Sequence, residues 1–452
     1  MPTRFRLEDP ALAGTLRRIE QTIRRAGGRT WLVGGSVRDL ALGRQPRDLD
    51  IEVVGLQPGQ VHALLAEHFS VQFVGKAFQV FKLQGLPVDL SIPSRIPDDD
   101  TSLPGLPIAE ALARRDFTIN AMAWDPDTME LCDPFNGRGD LDSRILRHAS
   151  TRFAEDPLRV LRGMQLAARF ELTAAPETVA LCRTLSQESL SNDRLWEEWK
   201  KLLLQGHKPS LGLQFLRHCD WLRFYPELAA LEGCPQDPIW HPEGDVWIHT
   251  LHCLDWFAAE KTGNEQDDLI VGLGVLCHDF GKPITTKEED GHITSRGHES
   301  EGAAPTRSFL ERLTNQHDLV DEVVPLVCCH LRPRALHDAK ASDSAVRRLA
   351  KQVHRIDRLV RVARADHAGR PPKQFDGFPA GEWLLTKAQQ LAVDRRAPLP
   401  IVMGRHLLDL GIQPGPDMGR LLDDCYEAQL DGDFETLEEG LSYIRSRLSA
   451  PC

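Results

Sequence analysis

No run of this chain is long and apolar enough to span a membrane, which excludes a membrane-embedded helical protein. None of its ten cysteines stands in a CxxC pair, and Met1 to Glu20 is charged rather than apolar. No secretory leader and no disulfide framework are therefore expected, and a reducing cytoplasm is the natural compartment. Low-complexity tracts and clear internal repeats are also missing. Excess positive charge is missing too: the formal net charge is −12. Indiscriminate nucleic-acid binding is thus disfavoured, and any RNA contact has to use a local basic surface on an acidic background. What remains is a chain of 452 residues, 41% hydrophobic, long enough for two or more cores.

The most informative stretch is Leu32-Val33-Gly34-Gly35-Ser36-Val37-Arg38-Asp39, followed by Asp48-Leu49-Asp50-Ile51-Glu52. Trp31 to Val33 reads as a short buried strand, and the two glycines allow a tight turn with close backbone approach. From Ser36 the spacing of Val37, Leu40 and Ala41 is helical, so a helix N-terminus would face a bound triphosphate. The run from Asp48 to Val54 alternates charged and apolar residues. Asp48 and Asp50, two apart on a strand, would project from one face. Attack of a hydroxyl on an α-phosphate builds charge on the entering and leaving oxygens, which two Mg²⁺ ions roughly 3.5 to 4 Å apart stabilise. Aspartates supply the hard oxygen ligands that Mg²⁺ prefers. Taken singly, either half is equally a glycine turn or a solvated Asp-Leu-Asp turn; in this order they resemble the nucleotidyltransferase superfamily signature.

Four further segments narrow the family. Arg114-Arg115-Asp116-Phe117-Thr118-Ile119-Asn120-Ala121 resembles the second motif of class II tRNA nucleotidyltransferases and bacterial poly(A) polymerases. Asp133-Pro134-Phe135-Asn136-Gly137, Asp140-Leu141 and Leu146-Arg147-His148 resemble the third. Glu155-Asp156-Pro157-Leu158-Arg159, running on through Arg162 to Arg169-Phe170, resembles the EDxxR motif that selects nucleotides, and Asp193 to Leu203 the neck-helix motif. The resemblance covers about the first 205 residues in the family's order. It implies metal-binding carboxylates at Asp48 and Asp50 and a triphosphate region at Gly34, Gly35, Ser36 and Arg38. It further implies ribose sensing at Asp116, nucleotide support from Arg115 and Asn120, and a Glu155 that orients Asp156 and Arg159. Asp89, in Val88-Asp89-Leu90-Ser91, is a candidate third acidic neighbour.

The Glu155 to Arg159 segment also has a direct chemical reading. Asp156 before Pro157 is a good N-cap ahead of a first-turn proline, so a helix is expected to start there. Cytosine and adenine both present an amino donor beside a ring-nitrogen acceptor, whereas uracil and guanine reverse that order. An aspartate accepting from the amine and an arginine donating to the ring nitrogen would admit C and A alone. The plainer alternative is a helix cap with an ordinary ion pair, worth about 0.3 to 0.5 kcal/mol.

A second constellation follows. His249, His278-Asp279, His298, His330 and Asp366 keep the order of HD-domain metal phosphohydrolases. The adjacent His278-Asp279 pair puts two ligands at one point, with His249 and Asp366 completing the shell. His298 and His330 are candidates for a second metal or a phosphate. His241, His252 and His292 read as surface or core histidines. Trp240 to Asp245 resembles the junction of HD-containing tRNA nucleotidyltransferases, whose HD domain implies phosphatase or phosphodiesterase chemistry on RNA ends, in some relatives with transition metals. For RNA contact, Arg144, Arg147, Arg152 and Arg169 form a candidate stripe with Arg159 and Arg162, alongside the alternative of a solvated helix face.

The expected architecture is multidomain α+β: a polymerase-β-like head with a mixed sheet, a helical neck and body, an all-α HD domain and a helical tail. The boundaries read 1–145 for the head, 146–206 for the neck, 207–245 for the body, 246–395 for the HD domain and 396–452 for the tail. The expected activity is template-independent addition of C and A (CCA) to tRNA 3′ ends from CTP and ATP, with Mg²⁺ at the head and a transition metal as the candidate at the HD site. One departure keeps CC-only addition open. Between Asp89 and Arg114 the family carries a longer basic loop, whereas here Pro93, Pro97, Asp98 to Asp100, Pro104 and Pro107 make the segment short, rigid and acidic. Adenosine-only addition or poly(A) synthesis ranks third. An HD phosphohydrolase that keeps the head as an RNA-binding module is the reading from another class.

Overall fold

The computed structural model describes residues 5, 7–74, 80–93 and 106–449. Most of the segment from Pro93 to Pro107, on which the choice between CC and CCA addition was read, lies outside the described residues. The chain divides into two compact units. One comprises residues 1–190 with 211–221, the other 191–210 with 222–452.

The first unit is built on a seven-stranded mixed sheet of β1 (Arg29–Val33), β2 (Leu49–Val54), β3 (Val71–Val74), β4 (Val80–Leu83), β5 (Val88–Ser91), β6 (Ala123–Trp124) and β7 (Leu131–Cys132). The spatial order is β3-β4-β5-β2-β1-β6-β7. Within this sheet, among the described residues, only β2 and β5 pair in parallel. In β1 every residue after Arg29 is buried, as the apolar Trp31-Leu32-Val33 run requires. Leu32 pairs with Ile51, so the chain leaves β1 beside the point where Asp50 enters β2. The parallel register sets Asp89 opposite Asp50. Sheet topology thus gathers the glycine turn and the acidic residues at one sheet end. The helix Pro10–Arg25, capped by Asp9, lays Leu12, Leu16, Ile19 and Ile23 on the sheet side.

The second unit is almost wholly helical. Its centre is the helix Glu265–Cys277, whose residues from Ile270 to Cys277 are all buried. An apolar run without a polar face can sit only inside a bundle. The helices Asn192–Gln205, Val246–Ala259, His317–Cys329 and Ile356–Ala368 surround it. Asn192–Gln205, which carries the neck-helix motif, packs in this unit through Trp199, whose indole N–H donates to the Tyr225 hydroxyl at 3.2 Å. To the all-helical expectation the structure adds one exposed antiparallel hairpin, Lys287–Glu289 with His292–Thr294. Asp290 and Gly291 both have positive φ there, the turn that suits a two-residue hairpin loop. The C-terminal helices Gly404–Asp409, Pro416–Asp431 and Leu437–Ser449 close a small core of Val402, Leu407, Met418, Phe434 and Ile444.

Candidate active sites

In the first unit, Gly34 turns the chain out of β1 with φ +66°. A Cβ there would collide with the Arg115 guanidinium and lie 3.2 Å from Asp50 Oδ2, so glycine is required for both reasons. The helix Gly35–Ala41 starts immediately after this turn. Ser36 ties it to β2: its hydroxyl donates to the Asp48 carbonyl at 3.1 Å and accepts from the Asp50 amide at 3.0 Å. Ser36 therefore holds the acidic segment at the helix N-terminus. Asp48 itself sits on the bend just before β2, exposed, rather than within the strand. Burial pushes the Asp50 carboxyl above its ordinary range; Arg115 opposes that rise, while Asp48, Asp89 and Glu52 add to it. Such a crowding of negative charge is what a divalent cation relieves, so the residues present fit a Mg²⁺ site whose remaining ligands are substrate phosphate oxygens.

Behind the turn runs a polar relay, buried from Arg38 to Asp116 and exposed at Arg162. Arg38 donates to Asn120 Oδ1 at 2.6 Å, Asn120 Nδ2 donates to Asp116 Oδ1 at 3.0 Å, and Arg162 lies 3.3 Å from Asp116 Oδ2. Burial by itself would raise the Asp116 carboxyl, but Arg162, Asn120 and the Phe117 amide outweigh it and hold it below the usual carboxylate range. Replacing Asn120 by alanine leaves Arg38 and Asp116 without their shared partner. The expected loss is about 1 to 3 kcal/mol in stability of the first unit, read as a lower urea midpoint.

The third motif holds the second. Asp133 accepts from the Gly137 and Arg138 amides at 2.6 and 2.9 Å, and Asp140 accepts from the Thr118 hydroxyl at 2.7 Å. Thr118 N donates to the Arg147 carbonyl at 2.8 Å. The helix Leu158–Phe170 begins one residue later than the expected Asp156 cap, with Pro157 at the cap position and the Leu158 amide on Asp156 Oδ1 at 3.1 Å. Arg159 donates to the carbonyls of Arg152 and Arg114 at 2.7 and 2.5 Å, which fixes its planar head.

In the second unit the central helix ends at Cys277 and delivers His278 and Asp279 into a buried cluster. His249 Nε2 lies 3.1 Å from Asp366 Oδ1 and 3.8 Å from Asp279 Oδ2; His278 Nε2 lies 3.2 Å from Asp279 Oδ2. On the other side His298 Nε2 lies 3.4 Å from both Asp279 Oδ1 and His330 Nε2. His278, His298 and His330 share one device. Each ring places Nδ1 2.7 Å from the carbonyl three residues earlier, so that each Nε2 faces inward. His278 Nε2 and both Asp279 oxygens are buried without a hydrogen bond; Lys282 Nζ is 2.7 Å from Asp279 Oδ2, but not in hydrogen-bond geometry. Orphaned donor atoms of this kind fit a metal. Burial would raise the Asp279 carboxyl, yet His278 and Lys282 hold it well below its ordinary range, and burial pushes His330 down to about 3. A cavity of about 560 Å³ opens onto Asp279, His298, His330 and Asp366, with Lys282 and Arg370 on its wall.

Family models match both parts: the poly A polymerase head domain over residues 30–147 and the HD domain over residues 246–367. A multifunctional CCA protein of Xanthomonas euvesicatoria pv. vesicatoria is 36% identical over 423 residues, 87% of this chain and 95% of the relative. The chain belongs to the multifunctional CCA proteins. Another member, from Laribacter hongkongensis, is 35% identical over 81% of this chain and 89% of its own length. Among solved structures, the Bacillus stearothermophilus CCA-adding enzyme in complex with CTP has a TM-score of 0.65 at 22% identity, covering 97% of this chain and 98% of its own. The Thermotoga maritima CCA-adding enzyme complexed with tRNA has a TM-score of 0.60 at 21% identity, covering 99% and 98%. These two share the fold.

Within this CCA-family chain, Gly34, Gly35, Ser36, Asp48, Asp50 and Arg115 come together at the β1–β2 end, and His249, His278, Asp279, His298, His330 and Asp366 at the HD cluster. Glu155 pairs with Arg152 at 2.9 Å, and the Arg159 head is held by the Arg152 and Arg114 carbonyls. The arginine stripe is largely compensated: Arg144 pairs with Glu171, Arg147 with Asp140 and Glu177, and Arg152 with Glu155, while Arg169 reaches Gln165 and the Phe170 ring. Such pairing dilutes the net charge that a phosphate backbone would meet. Glu243 escaped the sequence reading. Its Oε1 lies 2.7 Å from His249 Nδ1 and 2.8 Å from His241 Nδ1, which makes it the outer partner of a metal-ligand candidate. The His-x-Glu spacing six residues before His249 was the available signal.

Proposed function

We propose that this chain adds C and A to tRNA 3′ ends from CTP and ATP without a nucleic-acid template, using Asp48 and Asp50 as its catalytic carboxylates. The observation that carries this is the Ser36 bridge, which joins the triphosphate-facing helix N-terminus to the Asp48–Asp50 segment. Asp48 and Asp50 would hold Mg²⁺, which would supply charge neutralisation for transfer at the α-phosphate. Gly34, Gly35 and Ser36 bring backbone N–H groups to the phosphates. The Arg38–Asn120–Asp116–Arg162 relay holds Asp116, the residue read as sensing the ribose. Asp156 and Arg159 present one acceptor and one donor to the base edge, so protein side chains take the place of a template. Full-length relatives bear the CCA name, and neighbouring structures bind CTP, ATP and tRNA. The test supplies tRNAs ending at the discriminator base, at C and at CC with each labelled NTP, and sequences the products. CTP should enter twice and ATP once. A stop after CC selects the CC-adding reading, and no incorporation on any of the three removes the polymerising role.

A second activity, phosphohydrolysis at RNA ends, is favoured by the orphaned His278 Nε2 and Asp279 oxygens beside a cavity with Lys282 and Arg370 on its wall. His249, His278, Asp279 and Asp366 would hold a metal that activates water; Lys282 and Arg370 offer charge to phosphate oxygens. His278→Ala is expected to abolish release of phosphate from 2′,3′-cyclic or terminal phosphates while CTP incorporation stays at the wild-type rate. Loss of both activities together would refute the separation.

A further inference from the structure

The HD cluster contains a donor that none of the resemblances supplies. Cys253 lies one helical turn after His249 on the Val246–Ala259 helix, so the two side chains leave the same helix face. It is fully buried, and its Sγ lies 3.4 Å from His249 Nε2, close to the 3.1 Å between that nitrogen and Asp366 Oδ1. Metal–ligand bonds of about 2.0 to 2.3 Å put neighbouring ligand atoms roughly 3 to 3.7 Å apart. His249, Cys253 and His278 offer one donor atom each, all within 4.8 Å of one another. The His278 Nε2 in this trio is buried with only the Asp279 carboxylate against it, at 3.2 Å and out of hydrogen-bond geometry, an independent sign that the space between them receives a metal ion. On its other side the sulfur is covered by Gly369, where even a Cβ would collide with it. In the metal-free protein the thiol makes long contacts, to the Asp366 carbonyl at 4.0 Å and to His249 Nε2 at 3.4 Å, both of which a metal bond would replace.

We propose that Cys253 joins His249, His278, Asp279 and Asp366 as a ligand of the metal at the phosphohydrolase site, and that it biases this site toward thiophilic transition metals. The inference rests on the reading of that cluster as a metal site. As the sulfur–metal bond forms, the thiol proton leaves to solvent and nothing is oxidised or reduced. Thiolate and imidazole together select zinc-like ions, whereas the carboxylates of the head select Mg²⁺. One chain would thereby keep two metal sites that do not compete for the same ion.

Cobalt(II) is the probe, titrated into the metal-stripped full-length chain and followed by absorption. Wild type should develop visible ligand-field bands and a near-ultraviolet sulfur-to-cobalt charge-transfer band. Cys253→Ser and the similarly sized Cys253→Val should lose the near-ultraviolet band and keep the visible ones. His278→Ala should weaken both. Circular dichroism of the metal-free proteins identifies a variant that fails to fold, and the other cysteine variant then decides. A near-ultraviolet band absent from wild type, or unchanged in either folded cysteine variant, overturns the ligand role while visible bands sensitive to His278→Ala leave the metal site standing. A wild-type chain with no cobalt spectrum at all, or one indifferent to His278→Ala, overturns both.

Discussion

Replacing Asp50 by alanine is expected to lower CTP and ATP incorporation by about 10³-fold or more, since it removes a carboxylate that positions charge directly at the reacting phosphate. Asp50 is the better of the two carboxylates to remove. Its main chain is held by Ser36, its carboxyl lies beside Arg115, and burial with neighbouring Asp48, Asp89 and Glu52 already raises its affinity for a positive partner. Deleting one charge from that crowd relieves repulsion in the metal-free protein, so the variant should unfold at a temperature no lower than wild type. Stability and activity would move independently, which separates a lost ligand from a lost fold. Primer-extension rates on a tRNA lacking its last nucleotides, beside a thermal melt, give both numbers. Phosphate release at the HD cluster should be unchanged in the same preparation.

The second large effect concerns nucleotide choice. Asp156→Ala should reduce discrimination of CTP over UTP by about 10- to 100-fold, the equivalent of losing one hydrogen bond to a charged group, about 1.5 to 3 kcal/mol. The reduction should appear mainly as slower CTP incorporation with little gain for UTP, because Arg159 still presents a donor to a ring position that in uracil is also a donor. Arg159 is held for that task by the Arg152 and Arg114 carbonyls, and burial lowers its pKa without threatening its charge. Single-turnover rates with each of the four NTPs on the same tRNA are the measurement. A variant whose four rates fall by one common factor would show that Asp156 only caps the helix.

The two outcomes also explain which parts of the site could be read in advance. Gly34-Gly35-Ser36 and Asp48-x-Asp50 were legible because each depends on local rules: a glycine where φ is positive, a helix start, and residues two apart near a strand. The Asp156-Pro157 helix start was legible for the same reason. The polar relay was not. Arg38, Asn120, Asp116 and Arg162 are scattered over more than a hundred residues, and their pairing depends on how the sheet and the Leu158–Phe170 helix pack. The Arg159 head is held by the Arg152 and Arg114 carbonyls, contacts that spacing does not reveal. The exposed hairpin at Asp290-Gly291 interrupts a helical bundle without disturbing its hydrophobic periodicity, so it left only a turn dipeptide as its trace.

The sequence by itself determined the residue types available: two aspartates beside a glycine turn, a histidine-aspartate set downstream, and an aspartate and an arginine at one helix start. Only the tertiary structure decided who meets whom. It put Asp89 opposite Asp50 through a parallel strand pair, brought Glu243 and Asp366 to His249, and paired Arg144 and Arg147 of the arginine stripe with Glu171, Asp140 and Glu177. The physical reason is that local backbone preference acts over a few residues. Charge pairing and burial are settled by distances that exist only once distant segments share a core.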